Sequence, residues 1–132
     1  MWLLHVRTRE LVHFMDDRSV IGKYAILSHT WEDEEVSFTN IKTSEAHNMM
    51  GYRKIDYACR QAEAADLEYV WVDTCCINKD SSAELSESIN SMFRWYYNAK
   101  ICYAGCVLLR PQLAQMWHEA ESATASRDRH QD

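Results

Sequence analysis

YAILSHTW (Tyr24–Trp31) and YVWVDTCCI (Tyr69–Ile77) are the stretches on which the fold of this chain turns. Each is a short apolar run that breaks at once into polar residues, as a buried strand does where it ends at a functional edge. Between them, Ile55, Ala58, Cys59, Ala62 and Ala65 repeat with a helical period across Gly51–Asp66. After the second run, Ser81 opens another helix, with Leu85, Ile89, Met92, Tyr96 and Ala99 spaced by four, three, four and three. Ile101–Leu109 is a third apolar run and reads as a third strand. The order strand, helix, strand, helix, strand predicts an α/β fold with a mainly parallel sheet flanked by helices. Tyr24–Ser28 and Tyr69–Val72 are expected as adjacent inner strands, with Trp71, Ile89, Met92 and Tyr96 packed together.

Outward from this centre, WLLHV and LVHF around the polar Arg7-Thr8-Arg9-Glu10 predict an amino-terminal β-hairpin. Glu32–Asn48 reads as an acidic, irregular loop with a short helical turn. Residues 1–109 form the expected domain, and 110–132 a polar tail, partly helical or disordered, with Leu113, Met116 and Trp117 near one face. At 132 residues, 47% of them hydrophobic, the chain has the material for one core. A net charge of −6 with scattered basic residues argues against a nucleic-acid partner. No apolar run reaches the roughly 18–20 residues that span a bilayer, and MWLLHVRTRELVHF lacks the charge pattern of a secretory leader. The five cysteines include the adjacent pair Cys75–Cys76 and make no disulfide framework, so a reducing, cytoplasmic location is expected. No C-x2-C element is present, and no metal site is expected.

In open α/β sheets, ligands bind beyond the carboxyl ends of the strands. The first inner strand ends in Ser28-His29-Thr30-Trp31 and the second in Asp73-Thr74-Cys75-Cys76. Ser28, His29, Trp31, Asp73 and Cys75 are therefore candidate ligand-binding residues, and the start of the second helix brings Glu84 and Glu87 toward the same crevice as candidate catalytic carboxylates. Each has a plainer role to set against this. Asp73 can cap a turn, His29 can be a satisfied structural histidine, and Trp31 can close the core. Ser81-Ser82-Ala83-Glu84 fits a capping box in which Glu84 bonds back to the Ser81 N–H. A buried thiol is the more expected state for Cys75 than a nucleophile. Only Gly22, Gly51 and Gly105 are present, so phosphate-binding glycine loops are excluded at the level of motif.

These segments together resemble the heterokaryon-incompatibility domain of fungi. YAILSHTWEDEEVSF (Tyr24–Phe38), the helix running into Tyr69–Ile77, and SSAELSESINSMFRWYYNA (Ser81–Ala99) are similar to its three ordered blocks, and WLLHVRTRELVHF to its lead-in hairpin. The resemblance covers roughly residues 2–104. It implies a module for self/non-self recognition that promotes programmed cell death by associating with itself or with receptor-type partners, needing no cofactor. The family usually has glycine where Glu32 follows Trp31, which puts the following loop in question, and nothing after Leu109 resembles the family's later blocks. The family is in turn similar to the TIR domain, which implies a TIR-like or flavodoxin-like strand order. Through Glu84-Leu85 it also implies a second reading, an NAD glycohydrolase with NAD as substrate, Trp31 stacking on it and a helix-borne glutamate acting. A third reading is an inactive, truncated copy.

Overall fold

The computed structural model describes residues 1–104. The continuation of the last strand to Leu109 and the polar tail lie outside the described residues. Five strands form one sheet: β1 (Trp2–His5), β2 (Leu11–His13), β3 (Tyr24–Ser28), β4 (Tyr69–Val72) and β5 (Ile101–Ala104), in the order β2-β1-β4-β3-β5. Helix α1 (Tyr52–Ala64) joins β3 to β4, and α2 (Ser82–Asn98) joins β4 to β5. Both inner strands lie side by side and parallel, with Tyr24 opposite Tyr69 and Leu27 opposite Val72. β5 pairs with the other side of β3, also in parallel. The three parallel strands thus run second, first, third across the sheet, as flavodoxin-like sheets begin.

The sheet is mixed, which corrects the expectation of a mainly parallel one. The predicted hairpin forms, Leu3 opposite Val12, and then docks antiparallel on β4, with Leu4 opposite Val70. β1 reaches β4 only through β2, β3 and α1, so no single crossover links the two strands and nothing requires them to run parallel. Its Leu3, Leu4 and Val6 are fully buried, so it belongs to the same core as β3 and β4.

Right-handed crossovers place a helix on each face of the sheet, because β4 lies to one side of β3 and β5 to the other. Trp71 shows the division. Its ring meets Trp95 and Tyr96 of α2 at centroid distances of 5.8 and 6.1 Å, while Val70 and Val72 alternate to the opposite face. Ile55, Ala58, Cys59 and Ala62 form the buried stripe of α1. That helix ends at Asp66, held left-handed at φ 61°, where Leu67 N–H returns to the Ala62 carbonyl at 2.9 Å. On α2 the buried positions are Ser88, Ser91 and Trp95, with Met92 and Tyr96 partly buried. Ile89 is 62% exposed and does not join the predicted cluster. The reason is rotational: Trp95, not Ile89, turns toward Trp71, its carbonyl accepting from Tyr24 Oη and its indole N–H donating to Asp17.

Removing Trp71 opens a cavity between α2 and the sheet. Trp71→Ala is expected to lower the unfolding free energy by about 3–5 kcal/mol, read from urea denaturation. Met15→Ala, at a 95% exposed position, should change it by less than about 0.5 kcal/mol.

Candidate functional site

The parallel register of β3 and β4 brings the two polar strand ends together, and one carboxylate joins them. Asp73 Oδ1 lies 2.9 Å from His29 Nε2, and Asp73 Oδ2 accepts from the Trp31 indole N–H at 2.8 Å. His29, Trp31 and Asp73 thus share one site. The imidazole itself is only 1% exposed. Its other nitrogen, Nδ1, faces the Lys54 ammonium at 3.4 Å. Lys54 carries only donors, so this contact makes Nδ1 the acceptor and assigns the ring proton to Nε2, facing Asp73.

Lys54 anchors the far side of the site. It sits on the buried face of α1 beside Ile55, and its ammonium donates to the Thr30 carbonyl at 2.8 Å and to Glu35 Oε1 at 2.7 Å. Both side chains of this ion pair are 9% exposed. Lys79 closes the other end. Its ammonium lies 4.5 Å from the centre of the Trp31 ring and donates to the Asp73 carbonyl at 2.6 Å. Trp31 is therefore fixed by a hydrogen bond at its edge and a cation at its face, and yet is 51% exposed.

Electrostatics follow from this arrangement. Burial pushes the Asp73 carboxyl up, but hydrogen bonds from His29 and Trp31 and the Lys79 charge outweigh it and hold the group below its ordinary value. Burial in turn lowers Lys79, against the pull of Asp73. Ser28, the last residue of β3, hydrogen-bonds the Tyr96 hydroxyl, whose acidity burial nonetheless weakens.

The remaining predicted residues lie elsewhere. Cys75 is fully buried. Its thiol is held well above its ordinary value, first by the contact with Cys76 Sγ at 3.9 Å and then by burial. Glu84 and Glu87 line a small recess with Trp2, His13, Asn78 and Trp95, to which neither His29 nor Asp73 contributes. Among the described residues, this recess and the His29–Asp73 contact share no residue. The capping box is half made: Ser81 Oγ accepts from the Glu84 N–H at 3.3 Å, but the Ser81 N–H goes to the Asn78 carbonyl, and Glu84 Oε1 accepts from the Trp2 indole at 3.1 Å. A hairpin ring competes for that carboxylate and wins.

Three site residues escape a reading of the sequence. Lys54 is one; a lysine between apolar positions of a helix is its trace. Glu35 is another, with no trace in the acidic loop around it. Gly51 is the third. A Cβ there would lie 2.9 Å from the Glu35 Cα, and its N–H donates to the Glu34 carbonyl at 3.1 Å, so only glycine lets the loop press against the start of α1. The glycine-for-Glu32 question also finds an answer, because the left-handed residue of this loop is Glu34, at φ 63°. A cleft of about 400 Å³ opens beside Lys54 and Glu35, lined also by Glu32, Asp33, Met49 and Arg53.

The family model described as heterokaryon incompatibility protein (HET) matches residues 24–131. The chain belongs to this family. The matched stretch includes the whole His29–Asp73–Lys54 site and runs on past Leu109. The chain is also similar to the vegetative incompatibility protein HET-E-1 of Podospora anserina, at 52% identity over 85 residues, which is 63% of this chain and 6% of that protein. No solved structure matches. Among the described residues of this HET-family chain, no helix is long and apolar enough to cross a membrane.

Asp73→Asn tests the site. It leaves His29 and Trp31 without their ionised acceptor and should cost about 1–3 kcal/mol. The sign with pH is fixed by the lowered value. Asp73 stabilises the fold fully above the ordinary aspartate value of 3.8, and this contribution falls away as pH drops from there through the lower folded value. The gap between wild type and Asp73→Asn in urea unfolding should therefore narrow on acidification below about pH 4.

Proposed function

We propose that this chain acts in heterokaryon incompatibility, promoting cell death by associating with a protein partner through the surface centred on Trp31. The observation that carries the reading is the state of that side chain. A half-exposed indole, fixed at its edge by Asp73 and at its face by Lys79, loses little freedom on binding. Rigid aromatic anchors of this kind supply most of the energy in protein interfaces. The buried Lys54–Glu35 pair holds the Trp31 loop in one shape. Family membership supports the biological role, and the relative's printed name, a vegetative incompatibility protein, is of the same kind.

The glycohydrolase reading has less support. It needs a carboxylate beside a ribose in a shared crevice. Both Asp73 oxygens are engaged, Glu84 is tied to Trp2, and Glu87 lies in that same separate recess.

Induced expression in a fungal host is expected to kill cells, and Trp31→Ala to cut killing at least tenfold while shifting unfolding stability by no more than about 1 kcal/mol. Retention of killing by Trp31→Ala would sink the interface. The purified chain should release no nicotinamide from NAD. Release that is abolished by Glu84→Gln or Glu87→Gln would replace association with catalysis.

A further inference from the structure

Helix α2 has more apolar surface than the sheet beneath it covers. Trp95 faces inward, and Leu85, Met92 and Tyr96 are partly buried along one flank. Past that flank, Ile89, Phe93 and Tyr97 stand 62%, 66% and 76% exposed. Their spacing of four residues lines them up as one ridge. A single exposed apolar side chain is ordinary, but a row of three on one helix is a surface that association covers.

The charges of α2 indicate what fits that ridge. The helix carries only three, on Glu84, Glu87 and Arg94. Glu84 is held by Trp2, which leaves one acid and one base. They are seven residues apart, so they lie two turns from each other along the other flank of the ridge. Glu87 is exposed, and among the described residues its carboxylate has no partner. Arg94 gives its Nε and Nη2 to Asp17, yet its side chain is 55% exposed and Nη1 is left for a further acceptor.

When a second α2 lies antiparallel against the first, the same flank of each helix meets that of the other. The pair Ile89 and Phe93 and the pair Glu87 and Arg94 are centred at one level of the helix, near Ser91. A two-fold axis at that level therefore sets Ile89 of each copy on Phe93 of the other, and Glu87 of each copy against Arg94 of the other. The ridge is complementary to itself, by its apolar row and by the opposite charges beside it. The net charge of −6 repels the copies at a distance, but physiological salt screens that beyond about 8 Å, whereas the Glu87–Arg94 pairs act at contact. We propose that this chain forms a two-fold symmetric dimer through the Ile89–Phe93–Tyr97 ridge, with Glu87 of each copy paired to Arg94 of the other. None of these residues belongs to the Trp31 site, so the dimer goes beyond the Trp31 reading and does not depend on it.

The test is sedimentation equilibrium of the full chain over a series of concentrations. The mass is expected to rise from monomer to dimer and to stop there, because a contact made by the same patch on both copies closes on itself. Phe93→Asp should leave monomer alone, with urea unfolding unchanged at this exposed position. Glu87→Arg and Arg94→Glu should each weaken the dimer at least tenfold. An equimolar mixture of those two variants should recover it, because one chain then brings two bases and the other two acids. Arg94→Glu also gives up the Asp17 contact, so Phe93→Asp is the variant that keeps the test clear of folding. A monomer at every concentration, masses beyond the dimer, or a dimer that Phe93→Asp leaves intact would overturn the proposal. A dimer abolished by Trp31→Ala and kept by Phe93→Asp would place self-association at the Trp31 surface instead.

Discussion

Parallel strands end side by side with no turn between them, so the polar residues that follow must find their own hold on one another. In this protein the Asp73 carboxylate provides it. It takes one bond from the ring of His29 and one from that of Trp31, and thereby fixes the path of the chain after β3 to the end of β4. Because the imidazole is almost wholly buried, the attraction acts in a medium far less screening than water. Lys54 then determines which imidazole nitrogen carries the proton and balances the charge of Glu35. Removing one of the buried members, His29, Lys54 or Glu35, leaves another buried without a partner, which makes these groups behave as a unit.

That cluster rests on a core with two sides. Trp71 meets α2, and its strand neighbours Val70 and Val72 turn to the other face, so β4 serves both layers. The hairpin extends the same sheet and also fixes α2 from its start, through the bond from Trp2 to Glu84. Asp17 does so near its end, accepting from Arg94 at 2.7 Å and from the Trp95 indole at 2.7 Å. Distant parts of the sequence therefore set where α2 sits and which way it is turned.

The parts of the fold that local pattern determines were legible in the sequence. β3, β4, both helices and the hairpin follow from apolar period and polar breaks, and the parallel pairing of Tyr24–Ser28 with Tyr69–Val72 follows from the helix between them. The meeting of His29 with Asp73 was legible for the same reason. What was not legible depends on contacts remote in sequence. The sense in which the hairpin docks is invisible in its own residues. The turn of α2 that exposes Ile89 is set by Asp17 and Tyr24. The diversion of Glu84 to Trp2 spans 82 positions of chain. Lys54 left a trace as a charge on an apolar stripe, but its partner Glu35 lies in a loop whose path no period encodes.

The thiols of the core give the molecule a built-in reporter of its own opening. Cys59, Cys75 and Cys76 are at most 2% exposed, and burial pushes Cys59 up to about 12. At pH 8 roughly one Cys59 in ten thousand is then a thiolate while the chain is folded, against a sizeable share once it meets water. An alkylating reagent added to native protein therefore waits for the α1 face to part from the sheet. The rate at which Cys59 is modified measures how often that parting occurs, with no label introduced and no residue changed.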